Sequence, residues 1–270
     1  VTTATMTATG PTPARRVGPV AALTQTATLA WRSLVQIKHN PWELLDLGIQ
    51  PIMLLLLFTY VFGGAISGST GDYLQFALPG LLVQNALFYT LSTAVGLNTD
   101  ITKGVFDRLR SLPISRTAPL SGRVAADALK QVWAFALLVG FGMILGFRVQ
   151  TSVLGVLGAL ALLVAVVLAM SWMSVLIGLK ASNPEKVQMF GFSVMMPLTF
   201  TSSALVDPRT FPGWLRTWAD LNPVTHLADA IRGLLIGGEV AASALVALAW
   251  SAGFVVVFAP LAVRAFRGRA

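Results

Sequence analysis

The sequence predicts an all-α polytopic membrane protein with six transmembrane helices. Three observations predict it. Only 11% of the 270 residues are charged and 55% are hydrophobic, with a mean hydropathy of +0.74, whereas a soluble domain carries about a quarter charged residues. Six stretches reach the roughly 20 apolar residues needed to cross a hydrocarbon core of about 30 Å. The basic residues gather in alternate connections between those stretches, as they do when a chain is threaded through a bilayer.

The first stretch runs from about Leu45 to Ile66, around Met53-Leu-Leu-Leu-Leu-Phe58, and the second from about Phe76 to Leu97. The third covers about Val124 to Gly146 and the fourth, the longest, about Ser152 to Leu179. The fifth is placed at about Val187 to Val206 and the sixth at about Ala241 to Val263, before a basic tail. Between the last two, about 207–238, lies a segment too polar to cross and too apolar to float free. It mixes Trp214, Trp218, Arg216, Asp220, Asp229 and Arg232 with apolar residues. We read it as interfacial or re-entrant helices broken at Asn222-Pro223, because proline cannot continue a helix through its interior.

Nineteen Lys and Arg against eleven Asp and Glu give a net charge of +8. In a soluble protein that excess would suggest nucleic acid; its placement here is topological. With the N-terminus inside, one side holds Arg15, Arg16, Arg32, Lys38, Lys103, Arg108, Arg110, Arg116, Arg123, Lys180, Lys186, Arg264, Arg267 and Arg269. The other side holds only Arg148, Arg209, Arg216 and Arg232. Both termini are therefore expected in the cytoplasm of a multi-pass protein of the inner (plasma) membrane, with membrane lipid rather than nucleic acid as the surrounding partner.

Residues 1–19, rich in Thr, Ala, Pro and Gly, have no apolar core of the signal-peptide kind and are read as a disordered cytoplasmic tail. Over 20–40, Leu23, Ala27, Trp31, Leu34 and Val35 recur at helical spacing with polar residues between them. That pattern suits an amphipathic helix lying in the interface, or a soluble helix packed on a partner. The membrane domain then fills 41–270.

Motifs for chemistry are missing. The sequence contains no phosphate-binding loop, no His-Glu-x-x-His and no Gly-x-Ser-x-Gly, and no cysteine. Its two histidines, His39 and His226, have no ligand set around them in sequence. The chain is thus not expected to be an enzyme or to carry a metal or cofactor of its own.

After the second span, about 100–113, Thr99 or Asp100 can cap a short helix that Pro113 ends. Ile101, Val105, Leu109 and Leu112 form one stripe, with Lys103, Asp107, Arg108 and Arg110 off it. Such a helix suits docking into a groove on another protein; a basic loop serving topology alone gives the same spacing. In the third span Asp127 and Lys130 are three apart, as an ion pair or a coupling pair would be. Gly142-x-x-x-Gly146 permits close helix packing. Neutral polar residues in the second span (Gln84, Asn85, Thr90, Ser92, Thr93) and the fifth (Gln188, Ser193, Thr199, Thr201, Ser202, Ser203) should face protein or a cavity. Met189, Met195, Met196 and Phe200 add an adaptable apolar lining. Helix packing alone would use the same residues.

Three blocks carry a family resemblance. The first is Gly104-Val-Phe-Asp-Arg-Leu-Arg-Ser-Leu-Pro-Ile-Ser-Arg116 with Ser121-Gly-Arg123. The second is Glu185-Lys-Val-Gln188 with Ser203-Ala-Leu-Val-Asp-Pro208. The third is Phe211-Pro-Gly-Trp-Leu215, Asn222-Pro-Val-Thr225 and Asp229-Ala-Ile-Arg-Gly233. From about Leu23 to the last span the chain resembles the membrane subunit of a type-2 ABC exporter, of the daunorubicin-resistance permease family.

The resemblance implies six spans, an N-terminal interfacial helix, a cytoplasmic coupling helix and extracellular re-entrant helices that include Trp214, Asn222, Pro223 and Arg232. It implies two permease subunits, alike or different, working with two copies of a cytoplasmic ATP-binding subunit that holds the ATP and Mg. The helix from Ile101 to Leu112 would enter the ATPase groove through Ile101, Val105, Asp107, Leu109 and Leu112, with Arg108 and Arg110 as polar anchors. The substrate path would run between the second and fifth spans of the two subunits, past Gln84, Asn85, Gln188, Met195, Met196, Thr199 and Ser202. A hydrophobic drug or secondary metabolite is the expected cargo. Lipid or lipid-linked glycan export by the same architecture is the alternative, and a non-transporting membrane sensor is another.

Overall fold

The computed structural model describes residues 41–104 and 118–268, with side chains over 48–104 and 128–265. The tail, the expected interfacial helix over 20–40, and Val105, Asp107, Arg108, Leu109, Arg110 and Leu112 of the expected coupling helix lie outside the described residues, as does the side chain of Asp127. Among the described residues every regular element is helical. Five helices are long and apolar enough to cross a membrane.

Helix α1 (Pro41–Leu56) runs into a π-helical turn (Leu57–Phe62) and a short α2 (Gly63–Ser67), which together contain one candidate span, Gly48–Ser67. Gly68 closes α2 in the left-handed region (φ 75°), where a side chain would be strained. Helix α3 (Thr70–Thr102) begins at Ser69, whose Oγ accepts from the Asp72 amide at 3.0 Å. Its 33 residues extend about 50 Å, well beyond a hydrocarbon core. Hydropathy locates only the apolar middle of such a helix, which is why the sequence gives the shorter Phe76–Leu97.

Helix α4 (Ala118–Leu145) ends at Gly146 with φ 112°. The Gly142/Gly146 pair therefore divides its work. Gly142 lies against the Leu78 side chain, whereas Gly146 faces open space and serves to end the helix. Helix α5 (Val153–Lys180) starts at the Ser152 cap and matches the fourth expected span almost residue for residue. Helix α6 (Pro184–Phe200) starts at Asn183, whose Oδ1 accepts from the Lys186 amide, with Pro184 at the first helical position.

The fifth expected span, 187–206, is interrupted: α6 stops at Phe200 after 17 residues, about 25 Å. Pro197 lacks an amide to donate. Side-chain hydroxyls then take the carbonyls of the last turns: Thr199 that of Met195 (2.8 Å), Thr201 that of Pro197 (2.5 Å) and Ser202 that of Thr199 (2.6 Å). Local bonds of this kind compete with continued helix. The following residues, 202–205, are buried as irregular chain. A 3-10 turn (Pro208–Thr210), α7 (Gly213–Leu221), α8 (Pro223–Ile236) and α9 (Ala241–Gly268) complete the chain. The break at Asn222-Pro223 falls where the sequence places it.

Helix α3 is the hub, touching α1, α4, α5, α6 and α8, while α9 lies along α5 and α8. The main core joins these helices through Leu78, Leu82 and Leu87 of α3, Leu138 of α4, Leu163 and Met170 of α5, Met195 of α6, and Leu227 and Ile231 of α8. In lipid, close packing rather than removal from water holds helices together. Gly80 illustrates it: a β-carbon there would collide with the carbonyl of Ala204, so α3 and the irregular segment meet backbone to backbone.

Candidate functional site

Helix α6 touches the rest of the molecule along one stripe. Val187, Gly191, Met195 and Thr199, four residues apart, are its buried positions. They share one helix face, and Gly191 admits the Leu91 side chain of α3. Phe192 meets Phe88 with ring centres 5.3 Å apart. The other faces are open: Met189 and Phe190 are 69% and 66% exposed, and Gln188, Ser193, Met196 and Phe200 are exposed beside them. Beyond the first turn, where Glu185 and Lys186 stand, that open surface carries no charge.

The seven expected pathway residues are thereby divided. Gln188 and Met196 lie on the open face of α6, and Asn85 of α3 is half-buried. Met195 and Thr199 belong to the packing stripe, and Ser202 is buried in the segment beyond it. Gln84 is buried in α3 with its Oε1 unpartnered. Thr90, also on α3, shares a hydrogen bond with Ser174 of α5 at 2.9 Å, which is helix packing.

The segment after α6 is tied down at three levels. At the first, Asn222 caps α8 by accepting from the Val224 amide (2.9 Å), and its Nδ2 donates to the Leu198 carbonyl at the end of α6 (2.7 Å). At the second, Arg232 of α8 donates to Asp229 Oδ1 (2.5 Å), the Ser203 carbonyl (2.8 Å) and the Phe76 carbonyl (3.3 Å). Ser203 Oγ donates to the same Asp229 oxygen at 2.7 Å, and Tyr73 donates to the Leu205 carbonyl at 3.0 Å. Buried irregular backbone is stable only with its polar groups satisfied in this way. At the third, Gln150 and Thr151 of the α4–α5 connection donate to the Leu235 and Leu234 carbonyls at the end of α8. On the short α7, Trp214 is 76% exposed, while Trp218 donates to Thr201 Oγ1 at 2.8 Å.

Of the expected coupling residues only Ile101 is described. It packs with Leu97 of α3, Val175 and Leu179 of α5 and Ala262 of α9. Sequence reasoning missed Asn98, which is completely buried and donates to the carbonyls of Gly178 and Ala181. It also missed the bonding roles of Ser203 and Trp218. These roles depend on partners distant in the chain, and no local spacing announces them.

Residues 24–236 match the family model described as ABC-2 type transporter. The chain belongs to that family. Its members are membrane permeases of ABC transporters, and several apolar helices here agree with a multi-pass one. The daunorubicin resistance ABC transporter permease protein DrrB1 of Streptomyces coeruleorubidus is 42% identical over 265 residues, covering 98% of this chain and 92% of that protein. A probable doxorubicin resistance ABC transporter permease protein, DrrC of Mycobacterium tuberculosis, is 27% identical over 218 residues, 80% of this chain and 78% of the relative. A putative transport permease, ycf38 of Cyanophora paradoxa, is 29% identical over 211 residues, 76% and 72% of the two chains.

Proposed function

We propose that this ABC-2 permease exports a hydrophobic drug or secondary metabolite, driven by a separate ATP-binding subunit, and that the open face of α6 borders the path. The observation that carries the reading is the combination on that face of apolar and neutral polar side chains with no charge past the first turn. Adaptable Met and Phe side chains suit varied apolar cargo, and isolated hydroxyls and amides can orient it. The near full-length similarity to a permease named for daunorubicin resistance supports the same cargo class.

In this reading α6 is a sixth, short span, with the buried segment 202–205 completing its passage, and α7 and α8 form an extracellular re-entrant unit with Trp214 at the interface. Two permeases, alike or different, face each other through α3 and α6. Both termini and the segment after α3 lie in the cytoplasm. The segment around Arg108 and Arg110 meets the ATPase, which supplies ATP and Mg chemistry. ATP binding closes the two ATPase copies and shifts the permeases between two global states, each with its own affinity for cargo.

The test is uptake of a fluorescent anthracycline into inside-out vesicles holding this chain and its ATPase. Uptake that needs ATP and disappears when the partner's phosphate-binding lysine is replaced supports export. ATP hydrolysis without uptake would reject the drug as cargo, and a chain that never copurifies with an ATPase would favour the sensor reading.

A further inference from the structure

One side chain joins the end of α3 to the turn between α5 and α6. Asn98 is completely buried, and its Nδ2 donates to the carbonyls of Gly178 (2.8 Å) and Ala181 (2.9 Å). Those carbonyls stand at the C-terminal end of α5, where helical amides run out. The Asn98 Oδ1 has no partner, so the residue bonds only as a donor. A leucine would fill similar space and avoid a buried unpaired oxygen, which directs attention to the two donated bonds.

The surroundings make this junction stiff. A β-carbon at Gly178 would stand 2.7 Å from the Ala94 carbonyl, so glycine lets α5 approach α3 closely here. Val187, at the start of α6, is buried in a cluster with Leu91 and Ala94 of α3, and Ala181 packs on it. Leu97 and Ile101 hold the last turns of α3 against Val175 and Leu179 of α5. The end of α3, the end of α5 and the start of α6 thus share contacts, with Asn98 as their polar link.

We propose that Asn98 is a positioning residue that carries movement of the segment following α3 into α6. This rests on the reading of that segment as the ATPase docking site. With the two bonds in place, displacing the end of α3 displaces the α5–α6 turn and hence the open face of α6. Without them, only the apolar packing of α3 on α6 (Leu91 at Gly191, Phe88 at Phe192) carries the movement, and nucleotide turnover is less tightly tied to movement of the path.

The chain has no cysteine, so Ser193→Cys places one thiol on the open face of α6. The complex with the ATPase is reconstituted in lipid nanodiscs, and maleimide labelling is timed without nucleotide and with ATP and vanadate. With Asn98 present, the labelling rate changes by about fivefold or more, the lower end of typical coupling between sites. With Asn98→Leu that change shrinks toward none while ATP hydrolysis stays within about twofold, and Asn98→Gln, which keeps the donor, restores part of it. Should the leucine chain fail to reach the membrane, Asn98→Ala, small and without a donor, takes its place. An undiminished nucleotide response in the variant overturns the proposal, as does joint loss of hydrolysis and response in proportion. If the Asn98 chain itself shows no nucleotide response, the ATPase-coupled reading fails and the positioning role of Asn98 with it.

Discussion

The guanidinium of Arg232 lies over the ring of Phe76, its central carbon 4.1 Å from the ring centre, while its Nε donates to the Phe76 carbonyl at 3.3 Å. The two residues stand on α8 and α3, and the same guanidinium reaches Asp229 and the Ser203 carbonyl. An arginine fork can serve these directions at once; a lysine ammonium is a single point. Arg232→Lys is therefore expected to lose about 1–2 kcal/mol and Arg232→Met about 2–3 kcal/mol, in the range of hydrogen bonds to charged groups. Thermal unfolding of the detergent-solubilised protein reads both, with Met below Lys below the parent chain.

Gly80 is in backbone contact with Ala204. Gly80→Ala would normally gain helix propensity, but here it must push α3 away from the 202–205 segment. We expect a loss of about 1–3 kcal/mol, the cost of overpacking. Gly140→Ala, in α4 with open space around its β-carbon, is expected to be neutral or to gain up to about 1 kcal/mol. A reversed order in thermal stability would show that the α3 contact can relax.

Asn222 has two separable jobs. Asn222→Ser keeps an oxygen for the α8 cap but is too short to reach the Leu198 carbonyl, while Asn222→Ala loses both bonds without burying a charge at this 2% exposed position. The alanine variant is expected to be less stable than the serine by about 1 kcal/mol, the usual value of a cap. Proteolysis of the 201–222 region should rise in the same order.

Arg108→Glu reverses a charge that the proposed docking segment presents to the ATPase. Membrane insertion is expected to be unchanged and copurification of the ATPase to fall by about tenfold or more, as when like charges face across an interface. Undiminished copurification would remove Arg108 from the docking surface.

Helices that carry one property from end to end were legible in the sequence. The apolar run of α5 and the basic-flanked runs of α4 and α9 emerge close to their expected places. Asn222-Pro223 reads as a break because a cap followed by proline begins a helix wherever it occurs. The end of α6 was not legible: residues 201–206 are apolar enough to extend a hydropathy window, while Pro197 and three hydroxyls end the helix inside it. The full length of α3 escaped because its ends leave the apolar zone. The π turn at Leu57–Phe62 has no local signal that we can identify. Asn98 and Arg232 are visible as residues, but their partners stand 80 or more and 156 positions away at the farthest.

The most direct measurement uses the absence of cysteine. Single thiols at Gln188, Ser193 and Met196 on the open face of α6, and at Leu157 and Val256 on exposed positions of α5 and α9, are modified with a bulky maleimide. ATP-driven anthracycline uptake is then measured with the ATPase present. Inhibition at the α6 positions, prevented by prior drug binding and absent at the α5 and α9 positions, is the expected result. Equal inhibition at both sets, or none at α6, would contradict α6 as the border of the path.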